Sequence, residues 1–324
     1  MKRILSRSKL HPILLFAVLI SSTIAACNQP ASPPQATETT QSTTATATQP
    51  EKRLRVVATF LPIYLFTKAV AGDAAQVDIL IKPGTEVHEY QSTPEDVKAL
   101  SQADVVVKNG LGLEEFLDTT IKSAQNSKLK VIDSSQGIKP IDELSPVVGK
   151  KGHEHGAGNP HVWLDPVLVK QQVQTIRDGL IAADPENKAK YEANAAAYVQ
   201  ELDKLNQEFQ QRLGQFRDRT FITFHDAFPY LAQRYNLKQV AVVEIPEDQL
   251  APADVKETID TVKQFQVKAL FSEPNVDNKL LQGLSKDLNI QLHPLDSLEA
   301  GQTDPQHYFV AMRSNLQTLE AAFK

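Results

Sequence analysis

At 324 residues the chain is long enough for two ordinary domains with real cores. Its formal charge is −5, and residues 1–26 carry Lys2, Arg3, Arg7 and Lys9 with no acid, so the rest is more acidic still; this excludes a nucleic-acid surface and favours cationic partners. Cys27 is the only cysteine, which excludes an internal disulfide and a thiolate metal site.

In chain order, residues 1–26 combine a basic start, an apolar run from Pro12 to Ile20 and a small-residue end at Ala25-Ala26. That is the pattern of a secretory signal, too short to be a secure membrane span. Cys27 directly after Ile24-Ala25-Ala26 resembles the bacterial lipobox, which implies a diacylated cysteine as first mature residue. The acyl chains would hold the protein on a membrane without spanning it, so an extracytoplasmic, lipid-anchored location is expected, in the periplasm or at the cell surface. Residues 27–52 are rich in Thr, Gln, Pro and Ala, cannot bury enough surface to offset their ordering entropy, and read as a disordered tether.

From Arg53 the pattern turns to alternating strands and helices. RLRVVATF, VDILI (77–81), ADVVVKNG (103–110) and LKVIDSS (129–135) are apolar runs of the buried-strand kind. Helical stretches separate them, one capped by Thr93 with Pro94 at its first position. Asp165-Pro166 opens a further helix, and Asp184-Pro185 opens a long one. In the latter, Tyr191, Ala195, Tyr198, Leu202, Leu205, Phe209 and Leu213 keep a 3–4 spacing, a stripe of about 45 Å at ~1.5 Å per residue. Strands resume with RTFITFHD (219–226), QVAVVEI (239–245), VKALFSEP (267–274) and IQLHPLDS (290–297), again with helices between, and a last helix ends the chain. Wholly apolar strands alternating with helices predict two α/β lobes with parallel sheets: 53–183, a linking helix 184–217, and 218–324.

Ligands of open parallel sheets bind beyond the carboxyl ends of the strands. His88, His161, His225 and Asp296 each fall in such a connection, two from each half. Three imidazoles and a carboxylate would fill a four-ligand zinc shell. The spacing alone leaves other readings open, a satisfied strand-end histidine or, for Asp296, a turn cap.

PGTEVHEYQSTPEDV, NPHVWLDP, FHDAFPYLAQRYNL and PLDSLEAG resemble, in order, the motif regions of the metal-specific solute-binding lipoproteins of bacterial ABC importers, nearest to the zinc-uptake, TroA-like members. The resemblance runs from Arg53 to Lys324. It implies two α/β lobes joined by one long rigid helix, with the metal in the cleft between them. It implies His88, His161 and His225 as ligands with Asp296 as the fourth, and Glu89 or water in its place if Asp296 is absent from the shell. Manganese members carry Glu at the position of His225, so Zn²⁺ is expected and Mn²⁺ is the alternative. Binding is expected to weaken below a pH of about 6.5, where free histidines take up protons.

The partners implied are a membrane permease with its cytoplasmic ATPase, and membrane lipid through Cys27; a monomer is expected. His153 and His155 lie among Gly152, Gly156 and Gly158, where zinc members often carry a longer histidine-rich loop; loose zinc capture and a plain solvated loop are both open. Glu244 and Glu273 stand at strand ends as acceptors for ligand imidazoles or as helix caps. Trp163 reads as core under the site, His293 as structural, and His307 as surface. A hydrolase would use the same donors with an open position, but HExxH and Ser-elbow motifs are missing, so no enzyme is expected. An adhesin-type surface role would need an exposed apolar patch.

Overall fold

The computed structural model describes residues 53–141, 158–243, 252–265, 267, 269–274 and 279–324. The signal and tether, Cys27, His153, His155 and Glu244 lie outside them. The described residues belong to one compact unit, Glu51–Lys324.

Two four-stranded parallel sheets form the frame. The first holds β1 (Leu54–Ala58), β2 (Ala75–Ile79), β3 (Val105–Lys108) and β4 (Lys130–Asp133) in the order β2-β1-β3-β4. The second holds β5 (Thr220–His225), β6 (Lys238–Val243), β7 (Ala269–Ser272) and β8 (Gln291–Pro294) in the order β6-β5-β7-β8. The halves thus repeat one topology that no close sequence repeat announces.

The central strands β1, β3, β5 and β7 are largely apolar on both faces because each face has a separate core to enter, whereas β2, β4 and β8 at the sheet edges carry exposed residues such as Gln76, Asp78 and Val131. Successive side chains point to opposite sides of a sheet. In β1 and β3, Val56, Ala58, Val105 and Val107 join the largest core cluster, while Val57 and Val106 join a second with Leu80, Leu100 and Leu117. In the second sheet Phe221, Ala269 and Phe271 enter the largest cluster, and Ile222, Phe224, Val240, Val242 and Leu270 enter another. The largest cluster is therefore continuous across the inner faces of both sheets.

Helices cover both the inner and the outer faces of the two sheets. They are α1 (Leu61–Ala71), α2 (Pro94–Gln102), α3 (Leu117–Ala124), α4 (Pro166–Ala183), α5 (Lys188–Leu213), α6 (Pro229–Arg234), α7 (Pro252–Gln264), α8 (Lys279–Leu288) and α9 (His307–Phe323). Thr93 caps α2 in a reciprocal box with Asp96, and Asp165 caps α4 through the Val167 N–H with Pro166 in the first turn. The long helix starts later than its Asp184-Pro185 signal. A 3₁₀ turn over Pro185–Asn187 comes first, held by Asp184 Oδ2, which accepts from Asn187 Nδ2 and the Tyr191 hydroxyl. The α-helix proper then runs for 26 residues, about 39 Å at ~1.5 Å per residue. Its buried face is the predicted stripe from Tyr191 to Leu213, packed against α1, α4 and α9. Among the described residues, no helix is long and apolar enough to cross a membrane.

Candidate metal centre

The carboxyl ends of the two sheets face a common place. His225 is the last residue of β5, while His88 lies in the connection after β2 and His161 in the connection between β4 and α4. Glu299 comes after β8. One donor atom from each of His88, His161, His225 and Glu299 lies within 4.8 Å of all the others. His161 Nε2 is 3.2 Å from His88 Nε2 and 2.9 Å from His225 Nε2. Nitrogens at ~2.0–2.1 Å from a tetrahedral zinc sit about 3.3 Å apart, so the spacing fits such an ion with little adjustment. Three imidazole nitrogens and one carboxylate oxygen also suit zinc in kind.

Local structure aims each donor. Glu86 Oε1 accepts the backbone N–H groups of Val87 and His88, at 2.9 and 3.0 Å, and so curls the chain that presents His88. The Gly84 N–H donates to the Glu299 carbonyl at 2.9 Å, tying this loop to that of the other half. His161 precedes a short 3₁₀ turn over Val162–Leu164, its ring 4.9 Å from the Trp163 ring. Trp163 is fully buried and donates through Nε1 to the Ser297 carbonyl at 2.8 Å, as the sequence reading of core beneath the site anticipates.

His225 is fully buried, and its Nδ1 lies 2.6 Å from Glu273 Oε1. Burial pulls the imidazole pKa down, but the charge and hydrogen bond of Glu273, helped by the charges of Glu299 and Glu86, outweigh it and push it up to about 9. Glu273 thus serves as an acceptor for a candidate ligand, one of its two sequence-based readings.

The carboxylate brought to the three imidazoles is Glu299; Asp296, expected there, is not in the group. Asp296 Oδ1 accepts the Leu298 N–H at 2.7 Å, and its main chain is bracketed by Asn315 of α9 through bonds of 2.9 and 2.7 Å. The turn so made puts Leu298 at φ 66° and swings Glu299 inward. Burial raises the Asp296 carboxyl pKa, opposed by the Leu298 N–H and by His307. The sequence signal for Glu299 was present in PLDSLEAG, two acids three residues apart, but the strand-end rule selects the nearer one. Glu89 is exposed and outside the group. His293 sits in β8 with its ring 5.9 Å from that of Phe271. His307, expected at the surface, is half-buried at the start of α9 because its ring packs over Gly301, where a Cβ would overlap it.

Comparison with known proteins places the chain among zinc-binding relatives. The family model described as "Zinc-uptake complex component A periplasmic" matches residues 56–322. The zinc-binding lipoprotein AdcA of Streptococcus pneumoniae (strain ATCC BAA-255 / R6) is 35% identical over 282 residues, covering 84% of this chain and 56% of AdcA. The high-affinity zinc uptake system protein ZnuA of Bacillus subtilis (strain 168) is 31% identical over 288 residues, covering 86% of this chain and 90% of ZnuA. The crystal structure of the Zn(II)-bound ZnuA-like domain of Streptococcus pneumoniae AdcA superposes with a TM-score of 0.70 at 34% identity, over 84% of this chain and 99% of that domain. The chain thus spans little more than half the length of AdcA. From its matched residues, its paired parallel sheets and the donors gathered at their carboxyl ends, it belongs to the zinc-uptake complex component A periplasmic family.

Proposed function

We propose that this chain captures Zn²⁺ outside the cytoplasm and hands it to a membrane permease driven by a separate ATPase. The observation that carries this reading is the convergence of His88, His161, His225 and Glu299 on one point, from three connections and the end of β5 in a two-sheet frame. The zinc names of its relatives support the choice of cargo. On arrival the ion exchanges its water for three Nε2 lone pairs and a Glu299 oxygen. Glu273 behind His225 adds a second negative charge close by, so the two carboxylates balance the divalent cation. All protein positions are then filled, leaving no bound water to activate, which suits storage and delivery rather than hydrolysis.

Attachment through acylated Cys27 and loose capture by His153 and His155 belong to the same proposal, as do the lobe limits near residues 183 and 217. Calorimetric titration of the purified protein with zinc and with manganese tests the central reading. One zinc per chain, bound more tightly than manganese, is expected. No stoichiometric zinc binding, or a preference for manganese, would overturn it. Deleting residues 152–156 should lower the rate of zinc uptake at unchanged stoichiometry if that loop captures ions.

A further inference from the structure

A neutral imidazole can hold its proton on either nitrogen, and only one choice leaves the lone pair where a cation needs it. For His161 the neighbour that decides is Asn159, buried at 2% exposure. An asparagine amide presents an oxygen at one end and an NH₂ at the other, so its own sense must be set by what lies behind it. Behind it is the main-chain carbonyl of Asp226, 2.8 Å from Nδ2, with Asp226 Oδ2 at 3.3 Å. A main-chain carbonyl can only accept, so the NH₂ end must face it. Oδ1 then faces His161, accepting its backbone N–H at 3.0 Å and lying 3.0 Å from ring Nδ1. An oxygen held in that sense favours a proton on Nδ1, and Nε2 is left bare toward His88 and His225. The Tyr230 hydroxyl fixes Asn159 from the other side, donating to its carbonyl at 2.5 Å while accepting the Ile141 N–H at 3.1 Å.

We propose that Asn159 is a positioning residue for zinc capture, which, held in sense by the Asp226 carbonyl, keeps the His161 proton on Nδ1 before any ion arrives. The inference rests on the zinc reading of the cluster. It adds a link between the halves: Asp226 is the residue after His225, so one strand end supplies a donor from the second half and sets the proton of a donor from the first. Removing such outer partners typically weakens metal binding about 10–100-fold.

Long-range ¹H–¹⁵N spectra of histidine-labelled protein, free of zinc, read the tautomer directly. His161 should show a protonated Nδ1 and an unprotonated Nε2 in the wild-type protein; a proton on Nε2 there overturns the proposal without any variant. Asn159→Leu should shift the proton toward Nε2 and weaken zinc binding by about 10–100-fold. Asn159→Asp, which keeps an acceptor, should restore the Nδ1 proton. Wild-type tautomer in a folded Asn159→Leu protein, checked by unchanged His225 resonances, overturns the proposal as well. Failure of the wild-type protein to bind zinc at all would instead remove the reading on which the proposal rests.

Discussion

His225 Nδ1 and Glu273 Oε1 stand 2.6 Å apart in the interior, the imidazole fully buried and the acid nearly so. The pair makes the ligand basic and fixes its other nitrogen toward the cluster. Burial acts against a charged imidazole, yet the nearby carboxylates hold its pKa up to about 9. That upward shift fixes the sign of the pH dependence. A proton on His225 stabilises the zinc-free fold fully below about 6.5, and that contribution fades as pH rises through about 9. Zinc needs the Nε2 lone pair that the proton can occupy. Zinc affinity should therefore rise with pH by up to about tenfold per unit, levelling above pH ~9 rather than at the ~6.5 of a free histidine. Calorimetric titrations at pH 6, 7, 8 and 9 (about one unit apart) check the slope.

Glu273→Gln removes the charge and leaves an amide that can still accept a hydrogen bond. Zinc binding should weaken by about 10–100-fold, and its pH dependence should shift toward lower pH. The same titrations read both effects. An unchanged profile would mean that the carboxylate does not set the basicity of His225.

Glu299 and Asp296 give a contrasting pair. Glu299→Gln should lower zinc affinity by at least the ~10–100-fold that outer partners cost. Asp296→Asn keeps an acceptor for the Leu298 N–H and should leave affinity within a few-fold. Asp296→Ala should lose about 1 kcal/mol of stability through the broken turn. Equal losses of zinc affinity in the Glu299 and Asp296 substitutions would contradict the site as drawn.

How much of this was legible in the sequence differs by residue. The α5 stripe was readable to the residue, because a buried helix face is a local, periodic property. His88, His161 and His225 could be placed at strand ends, but their meeting depends on two sheets facing one another, which spacing does not encode. Glu299 was missed because its inward aim comes from a turn with Leu298 at φ 66°, a conformation unusual for leucine and held by Asp296 and Asn315. Asn159 was hidden inside NPHVWLDP, since its partner Asp226 lies 67 residues further on. The helix break at Asp184 was signalled by Pro185, though the signal marked the 3₁₀ turn rather than the start of α5.

Asp165 does two jobs at the start of α4, capping Val167 at 2.8 Å and pairing with Arg234 of α6, whose Nε lies 2.8 Å from Oδ2. Burial raises its carboxyl pKa, and Arg234 opposes the rise. Asp165→Ala removes the cap and leaves Arg234 without this carboxylate, so it should cost about 2–4 kcal/mol, read as a lower urea midpoint. Arg234→Met keeps the cap and should cost less. The reverse order would place the stability elsewhere.

The inner faces of both sheets share one apolar cluster, threaded by α5 and closed by α9. Neither half can melt without exposing the other's interior, so heat or denaturant should dismantle the frame in a single cooperative step. Cargo clasped at the sheet ends must then raise the melting temperature of the whole protein, by ~4 kcal/mol of added stability at a thousandfold excess over its dissociation constant. Occupancy of a few donor atoms becomes readable in the stability of the entire molecule.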